Sequence, residues 1–398
     1  MMQNSRRNFL KLSAGAAVAG LALPMSVQGK SQMLKADPSK IIYRQLGKTG
    51  IKLPIISLGV MRADNPNLVA AALDAGIVHL DTANGYQNGN NELMLGKLLK
   101  DRKRDSFVIS TKMHLPSDRT TGLFSADATY DKFMSMLNTS LERLQMDHVD
   151  ILYLHAVSKR EAALNEDMLR ALTDAKKQGK ARFIGISTHS KEPEVIQAAI
   201  DSKIYEIVLT SYNFSQPHVT EMKDMISKAK KAGLGIIAMK TMAGGFLDKE
   251  RKKPVNSKAA MRWSMMNPDV DTSIPGATTF DQLNEMIEVM SNLDMTDDEK
   301  KFISAYNNAA SLYCSGCREC IPQCPRNVPV PEIMRSYMYT YGYRDPGLAQ
   351  DEINSLTLAD LPCNLCDTCS VNCTNGFAVK DRIADVWRVK QVPREFIA

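Results

Sequence analysis

The sequence predicts an α/β protein, a (β/α)8 barrel followed by a small cysteine-rich domain, and three observations support this architecture. Eight short apolar runs alternate with helical patterns through the middle of the chain. The alternation covers about 240 residues, a length and a number of units typical of a closed eight-stranded barrel. All of the cysteines lie between positions 314 and 373, beyond the last of these units.

The apolar runs have the composition of buried parallel strands. Near-continuous apolar strands with helices between them indicate a parallel sheet that those helices cover. The predicted strands are 55–61, 78–83, 106–112, 149–155, 181–188, 206–212, 234–240 and 271–276. A doubly wound Rossmann sheet is the alternative, and it is disfavoured because no G-x-G-x-x-G follows an early strand. The sequence therefore predicts a TIM barrel.

Helix-terminating residues agree with this alternation. Residues 163–179 are predicted to form one helix, with lysines near its end and Gly179 as its C-cap. Residues 280–292 follow the N-cap candidates Thr278 and Thr279. Residues 296–309 carry acidic side chains in their first turn, as a further helix would. We therefore place the barrel at 40–306 and the cysteine-rich domain at 307–398.

The cysteines form two runs of nearly identical spacing. The first reads C-x2-C-x2-C-x3-C-P, and the second repeats it without the proline. Their members are Cys314, Cys317, Cys320 and Cys324, then Cys363, Cys366, Cys369 and Cys373. Three thiolates two residues apart with a fourth further along are typical ligands of a cubane iron–sulfur cluster. Zinc prefers paired CxxC units, and disulfide frameworks rarely repeat such a spacing.

The two runs resemble those of bacterial two-cluster ferredoxins, in which the fourth cysteine of each run ligates the other cluster. The resemblance implies two [4Fe–4S] clusters in a ferredoxin-like domain. One cluster would be held by Cys314, Cys317, Cys320 and Cys373. The other would be held by Cys363, Cys366, Cys369 and Cys324.

The N-terminus has the pattern of a twin-arginine export signal. Residues 5–11 read S-R-R-N-F-L-K and precede an Ala/Gly-rich apolar stretch at 12–23. The stretch is short for a membrane-spanning helix, so we assign residues 1–29 to a signal peptide. A basic amphipathic arm is the alternative. We expect export to the periplasm in the folded state, with clusters already bound and contact with the membrane only during export.

Composition is that of an ordinary globular protein, with 44% apolar and 24% charged residues. The formal charge is +6, and residues 1–29 contribute three of these charges through Arg6, Arg7 and Lys11. The rest of the chain has 47 basic and 44 acidic residues, a net charge of +3. Such a balance does not indicate a nucleic-acid partner.

Four polar residues stand at the carboxyl ends of neighbouring predicted strands. Asp81 and Tyr86 follow the second strand, Lys112 ends the third and His155 ends the fourth. Active sites of such barrels lie at the carboxyl ends of the strands, so these side chains are expected to converge. Each residue alone has an ordinary explanation, such as a solvated lysine or a helix cap. The set of four indicates a catalytic site.

With these residues the chain resembles the aldo-keto reductase family. The segments that carry the resemblance are DTANGYQNGNNELMLGKLL (81–99), STK (110–112), DHVDILYLH (147–155), FIGIS (183–187), IIAMKTMAGG (236–245) and SIPGATTFDQLNE (273–285). The resemblance implies a catalytic tetrad that interconverts a carbonyl and an alcohol. Tyr86 would donate the proton, and Lys112 would lower the pKa of Tyr86. Asp81 would keep Lys112 charged, and His155 would place the carbonyl oxygen.

The resemblance also implies a nicotinamide cofactor. Its expected contacts are Ser187, Tyr212, Lys240, Ser273, Gly276, Thr279 and Gln282, with Tyr212 stacked on the ring. Relatives that bind the 2′-phosphate usually place a basic residue near the positions of Gly276 and Gln282. Neither residue is basic here, so NAD and NADP both remain open.

Three hypotheses about function follow. In the first, the barrel reduces a small aldehyde, ketone or sugar and exchanges electrons with the two clusters, and a redox partner protein completes the path. In the second, the barrel is the same enzyme and the clusters are structural. In the third, the barrel is non-catalytic and serves as a binding or electron-transfer subunit with structural clusters. The complete tetrad favours an enzyme over the third.

Overall fold

The computed structural model describes residues 34–118, 120–248, 252–306, 312–356, 358 and 360–397. An antiparallel hairpin of two strands, β1 (Tyr43–Gln45) and β2 (Lys52–Pro54), precedes the sheet. Eight parallel strands follow, each paired with the next in sequence order. They are β3 (Leu58–Gly59), β4 (His79–Asp81), β5 (Val108–Met113), β6 (Val149–Leu154), β7 (Ala181–Thr188), β8 (Ile207–Ser211), β9 (Gly235–Met239) and β10 (Thr272–Ser273).

The first and last strands close the sheet into a barrel. Ser57 N donates a hydrogen bond to Ser273 O at 2.8 Å, and Ser273 N donates to Ile55 O at 3.0 Å. All eight predicted strands are confirmed at their positions, although β3, β4 and β10 are shorter than predicted. The closed sheet confirms the barrel and excludes the open Rossmann sheet.

The hairpin covers the amino-terminal end of the barrel. Leu46 and Leu53 pack with inward-facing strand residues such as Ile207 and Leu209 in an interior apolar core. Gly47 has a φ of 51°, and an added Cβ would overlap the backbone at Gly235, where β9 begins. Only glycine adopts this conformation without strain and permits such a close approach. The hairpin therefore closes the amino-terminal end of the barrel.

Ten helices accompany the strands in the described residues up to 306, and most begin at a side-chain cap. They are α1 (Pro66–Asp74), α2 (Asn90–Leu99), α3 (Tyr130–Leu144), α4 (Arg160–Ala163), α5 (Glu166–Lys177), α6 (Glu192–Ser202), α7 (Val219–Ala232), α8 (Ser257–Met266), α9 (Phe280–Ser291) and α10 (Asp297–Tyr306). Asn65, Thr129, Asn165, Asn256, Thr279 and Thr296 each accept a backbone N–H at a helix start.

The helix predicted at 280–292 is confirmed, and the one predicted at 163–179 is corrected at its start. Asn165 Oδ1 accepts a hydrogen bond from Met168 N at 3.1 Å, which begins α5 at Glu166. Residues 160–163 belong to the separate short helix α4. The helix predicted at 296–309 is observed as α10, and residues 307–309 lie outside the described chain.

The cysteine-rich segment has a helical fold with an apolar core of its own. Its helices are α11 (Val330–Tyr341), α12 (Pro346–Asn354) and α13 (Val379–Trp387). Ile333, Tyr337, Ile353, Ile383 and Trp387 are central members of that core. No strand is found in the described residues from 312 onwards. The ferredoxin-like fold and the boundary at 307 therefore stay predictions.

The described residues contain no helix that is both long enough and apolar enough to span a membrane. The signal predicted at 1–29 lies outside the described residues. From residue 34 to residue 397, the described chain belongs to one compact unit, so the barrel and the cysteine-rich segment are packed together.

Candidate active site at the carboxyl end of the barrel

The structure brings the four predicted catalytic residues together. Asp81 is the last residue of β4, Lys112 lies in β5 and His155 directly follows β6. Tyr86 begins a single 3-10 turn after β4, in which Gln87 has a φ of 51°. This left-handed backbone makes a tight turn directly before α2. Residues predicted from three separate segments therefore share one site.

Lys112 is the centre of the site and is almost fully buried. Its ammonium forms an ion pair with Asp81 and donates to the Thr82 carbonyl oxygen at 2.6 Å. The same nitrogen lies 3.3 Å from the Tyr86 hydroxyl oxygen. The rings of Tyr86 and His155 meet edge to face with centroids 6.1 Å apart. The lysine thus connects a carboxylate to the phenol beside the histidine.

Charge and burial oppose each other in this site. Burial alone would lower the pKa of Lys112, but the charges and hydrogen bonds of Asp81 and Tyr86 together outweigh it and the pKa is raised. Burial raises the pKa of Tyr86, and the Lys112 ammonium opposes this rise only in part. Lys112 therefore lowers the pKa of Tyr86, as expected, but the larger effect of burial leaves that pKa raised. Burial also lowers the pKa of His155 well below its ordinary value, which keeps the imidazole neutral.

Two further residues orient the carboxylate of Asp81, and neither was predicted. Ser110 Oγ donates to Asp81 Oδ2 at 2.7 Å and lies 3.1 Å from His79 Nε2. Ser110 and His79 stand two residues before Lys112 and Asp81 on their strands. Side chains two apart on a strand share one face. This spacing could therefore have predicted that Ser110 and His79 lie beside the tetrad.

The predicted cofactor residues Ser187 and Lys240 lie at the carboxyl ends of β7 and β9. Ser187 Oγ accepts a hydrogen bond from Ala156 N at 2.9 Å, next to His155. Lys240 is half-buried with a φ of 56°. Burial and then the nearby Arg335 lower the pKa of Lys240 to about 8. Both residues therefore stand close to the tetrad.

The predicted phosphate-binding residues lie beside the last strand. Ser273 Oγ is buried and has no hydrogen-bond partner in the described chain. An added Cβ on Gly276 would stand 3.3 Å from the Gly59 carbonyl oxygen, so the chain passes close to β3. Thr279 caps α9 by accepting from Gln282 N at 3.3 Å, and Gln282 Oε1 accepts from Thr278 N at 2.8 Å. Backbone and side-chain groups thus converge at the start of α9.

Tyr212 lies away from this group. Along β8, Ile207 belongs to the barrel interior and Val208 to the layer between strands and helices. The two-residue alternation places Tyr212 on the side of Val208. Its ring packs on Trp263 of α8 with centroids 4.9 Å apart, and its hydroxyl accepts from Asn267 Nδ2 at 3.3 Å. Tyr212 is therefore not placed to stack on a ring bound in the mouth.

The cysteine-rich segment packs on the loop that follows β7. Ser190 Oγ donates a hydrogen bond to the Gly316 carbonyl oxygen. Lys191 and Glu319 form an ion pair beside it. These contacts join the first cysteine run to the carboxyl end of the barrel.

The same segment also contacts the loops that follow β3 and β9. Arg62 Cζ lies 5.3 Å from the centre of the Tyr343 ring, and Arg62 Nε lies 4.0 Å from Asp345 Oδ2. Gly244 has a φ of 100°, and an added Cβ there would overlap the Tyr313 ring. With the β7 contacts, the segment forms a cap over the barrel mouth.

One face of α11 is directed at the tetrad, and Tyr343, just beyond the end of the helix, extends this face. Arg335, Tyr339 and Tyr343 follow at intervals of four residues and so share a helix face. Burial raises the pKa of Tyr339 and Tyr343, and each lies close enough to Tyr86 for that phenol to raise it further. Arg335 lies close enough to His155 to lower the pKa of that imidazole, after the larger effects of burial, His114 and Lys112. The sequence analysis did not assign these three residues to the site.

We expect Gly244→Ala to weaken the attachment of the cap, because the new methyl group would overlap the Tyr313 ring and strain a left-handed backbone. Gly245→Ala is the matched control: its φ is also positive, at 83°, but nothing lies within 4 Å of the added Cβ. Chemical denaturation should show Gly244→Ala to be about 1–3 kcal/mol less stable than Gly245→Ala, as for other overpacked sites. Equal stabilities of the two variants would contradict the close contact between Gly244 and the Tyr313 ring.

The cysteines lie in the two groups that were predicted. Cys314, Cys317, Cys320 and Cys373 line a single cavity. Burial raises the pKa of the Cys363 thiol to about 11, and the thiols of Cys324, Cys369 and Cys366 contribute to this rise from nearby. The cysteines are therefore grouped as the cross-ligation rule requires, and their role as cluster ligands stays a prediction.

No three His, Cys, Asp or Glu side chains among the described residues form a site for a single metal ion. A cubane accepts one thiolate at each of four iron atoms, so its ligands surround a larger volume than those of one ion. Cys320 is buried and Cys369 is exposed, and the cysteines are free thiols. Four cysteines around one cavity fit a cubane better than a zinc ion.

The fold and the tetrad define a barrel oxidoreductase, and comparison with known proteins identifies the family. The model of the aldo/keto reductase family matches residues 55–259, and the chain belongs to this family. Enzymes of this family are oxidoreductases that use a nicotinamide cofactor. The matched range ends before Cys314, so the cysteine-rich segment lies outside it.

Relatives and solved structures agree with the family. The chain is 25% identical to L-glyceraldehyde 3-phosphate reductase of Escherichia coli O157:H7 over 65% of the chain and 90% of that protein. It is 24% identical to L-galactose dehydrogenase of Arabidopsis thaliana over 67% of the chain and 93% of that protein. An aldo-keto reductase of Bacillus halodurans, solved in its holo form, aligns with a TM-score of 0.56 at 21% identity. That alignment covers 69% of this chain and 99% of the other, and it supports the fold.

Proposed function

We propose that the protein reduces the carbonyl group of a small aldehyde, ketone or sugar to an alcohol, or catalyses the reverse oxidation. The observation that carries this proposal is the position of the Lys112 ammonium, which joins the Asp81 carboxylate to the Tyr86 hydroxyl at 3.3 Å. The names of the E. coli and Arabidopsis relatives, an aldehyde reductase and a sugar dehydrogenase, support the substrate class.

Each residue of the tetrad has a role that follows from its surroundings. Reduction turns the carbonyl oxygen into an alkoxide, which takes the proton of the Tyr86 hydroxyl. The Lys112 ammonium stabilises the phenolate that remains, and Asp81 holds that ammonium in place. His155 is neutral and can donate a hydrogen bond to the carbonyl oxygen. In oxidation, the Tyr86 phenolate accepts the proton of the alcohol.

The residues at the end of the barrel fit a nicotinamide cofactor. When bound, such a cofactor would supply or accept the hydride. The unpartnered Ser273 hydroxyl and the start of α9, capped by Thr279, would hold its ribose and phosphate groups. Ser187, Lys240, Gly276 and Gln282 are the other proposed contacts. The absence of a basic side chain at 276 and 282 leaves both NAD and NADP open.

The cysteine groups fit two [4Fe–4S] clusters with the ligands Cys314, Cys317, Cys320 and Cys373, then Cys324, Cys363, Cys366 and Cys369. When bound, these clusters would exchange electrons one at a time, whereas the carbonyl reaction needs two. The Cys314 thiol lies close enough to Lys240 to act on the pKa of that residue, after burial and Arg335. The first cysteine group therefore lies near the barrel mouth.

We propose a periplasmic location for the enzyme, reached by the twin-arginine route. The motif at residues 5–11 supports this location. Bound clusters explain how thiols persist in an oxidising compartment, because the thiolates are already metal ligands on arrival. Measurement of the protein in periplasmic and cytoplasmic fractions, with and without Arg6→Lys and Arg7→Lys, tests the location.

Turnover of defined carbonyl compounds tests the activity. Purified full-length protein should oxidise NADH or NADPH when an aldehyde, ketone or sugar is added, and absorbance follows the reaction. The absence of turnover with every class, in protein that retains bound nicotinamide, would favour a non-catalytic barrel with structural clusters. Mass spectrometry of ligands that remain bound after gel filtration identifies the cofactor.

Cys317→Ala is expected to halve the iron and acid-labile sulfide per chain, because it removes one ligand of one cluster. Ser315→Ala, a change within the same loop, is the control and should retain both clusters.

Addition of an alcohol substrate should bleach the cluster absorption of the unmodified protein if the clusters exchange electrons with the barrel. Unchanged turnover in Cys317→Ala would instead indicate a structural role for that cluster.

A further inference from the structure

A polar recess lies between the barrel mouth and the cap. Its half-buried side chains come from both sides, namely Tyr86, His155, His189 and Lys240 from the barrel and Arg335, Tyr339 and Tyr343 from the cap. The cap is held over this recess by its contacts with the loops after β3, β7 and β9. Side chains from distant parts of the sequence therefore meet between the barrel and the cap, and each stays partly accessible to solvent.

The two cations of the recess have acidic neighbours but no close hydrogen-bond partners in the described chain. No hydrogen bond or ion pair engages Lys240 Nζ in the described part of the chain. The guanidinium of Arg335 has one ion pair among the described residues, with Glu352 at 3.6 Å, which is longer than a hydrogen bond. A half-buried guanidinium has five donors, and leaving them unused costs free energy. These donors are therefore available to a ligand.

The nearby acids are bound by other groups. The Asp81 carboxylate is held by Lys112 and Ser110. The Glu192 carboxylate accepts from Gln216 Nε2 at 3.1 Å and lies 3.2 Å from His218 Nε2. Glu352 and Glu332 both lie close enough to Arg335 to raise its pKa, and Glu332 is also paired with Arg318. The recess thus balances its two cations with nearby acids but leaves hydrogen-bond donors of Arg335 and Lys240 unused among the described residues.

We propose that Arg335 and Lys240 bind the oxyanion of the substrate, a carboxylate or phosphate group, while the tetrad holds its carbonyl, so that Lys240 serves the substrate and not the cofactor. This inference rests on the proposed function and narrows its substrates to acidic aldehydes, ketones and sugars. A guanidinium matches the two oxygens of a carboxylate or phosphate with parallel hydrogen bonds. The hydroxyl groups of Tyr339 and Tyr343 supply further donors. The same oxyanion chemistry occurs in the diphosphate of a nicotinamide cofactor, which is the second source to be tested.

Calorimetric titration with inorganic phosphate tests the site without turnover. The full-length protein should bind phosphate, and Arg335→Gln should bind it about tenfold or more weakly, as expected for lost charge-assisted hydrogen bonds. Arg344→Gln is the matched control, because Arg344 is exposed on the same segment. Lys240→Met provides the same test without leaving Glu352 unpaired. Equal phosphate affinities in all four proteins would overturn the site.

Kinetics with glyceraldehyde and glyceraldehyde 3-phosphate identify the source of the oxyanion. Arg335→Gln should lower kcat/KM for the phosphorylated aldehyde, relative to the unphosphorylated one, by about tenfold or more. Equal losses for both aldehydes, together with weaker cofactor binding, would assign the site to the cofactor diphosphate and overturn the proposal. If phosphate binding depends on Arg335 but neither aldehyde is reduced, the oxyanion site stands and the proposed reductase activity is wrong.

Discussion

Tyr86→Phe is expected to reduce the rate of carbonyl reduction by about 10²–10⁴-fold, the usual contribution of a positioned proton donor. The change removes one oxygen atom, which lies 3.3 Å from Lys112 Nζ, and leaves the ring in place. The carbonyl oxygen would then have to take its proton from water. Steady-state kinetics with the best carbonyl substrate measure the loss.

Tyr43→Phe is the control for this prediction, since Tyr43 is exposed on the hairpin far from the mouth. Its activity should equal that of the unmodified protein. The iron content and cluster absorption should be the same in both variants. Activity of Tyr86→Phe near that of the control would show that another group donates the proton.

The pH dependence of the two directions should differ. Burial raises the pKa of Tyr86 above its ordinary value near 10, so the phenol is protonated throughout the neutral range. Reduction, which needs the protonated phenol, should therefore be insensitive to the ionisation of Tyr86 from pH 6 to 8, roughly the physiological range. Oxidation needs the phenolate and should rise with pH across the same range. A fall in oxidation with rising pH would contradict the role of Tyr86 as the base.

Lys112→Met should destabilise the protein by about 3–5 kcal/mol, the usual effect of removing one partner of a buried ion pair. The side chains of Lys112 and Asp81 are 1% and 2% exposed, so water cannot solvate the carboxylate that remains. The hydrogen bond from Ser110 satisfies only part of that charge. Chemical denaturation monitored by circular dichroism measures the change in the free energy of unfolding.

Two further variants make this prediction specific. Lys97→Met, on the exposed face of α2, should change stability by about 0.5 kcal/mol or less. The double variant Asp81→Asn with Lys112→Met should recover part of the loss, because it no longer buries an unpaired charge. A double variant no more stable than Lys112→Met would show that the loss comes from packing and not from charge.

Much of the barrel could be predicted because its signals are local. Each strand is a short apolar run, and the tetrad residues stand where those runs end, so counting along the chain locates Asp81 and Lys112. The positions of Ser110, which holds the Asp81 carboxylate, and of His79 beside it follow from the two-residue period of the same strands. The predicted start of α5 at residue 163 was wrong, because Asn165 acts as a cap inside a stretch whose pattern is helical throughout.

The contacts between distant segments could not be predicted in this way. The pattern of β8 does not state which of its two faces points into the barrel, and Tyr212 lies on the outer one, against Trp263. The residues of α11 stand far along the chain from Tyr86, and no local pattern places Arg335 or Tyr339 above it. Their position depends on how the cysteine-rich segment packs on the barrel loops, which is a tertiary property.

The cap has a consequence for the order in which the protein is made. The hairpin at 43–54 and the tetrad leave the ribosome well before residues 335–343. Because domains fold as they are synthesised, a growing chain can form the barrel and its catalytic groups while the mouth is still uncovered. The recess is completed only when α11 has packed on the loops. Insertion of the clusters and completion of the recess are thus expected to be coupled events, both late in biosynthesis.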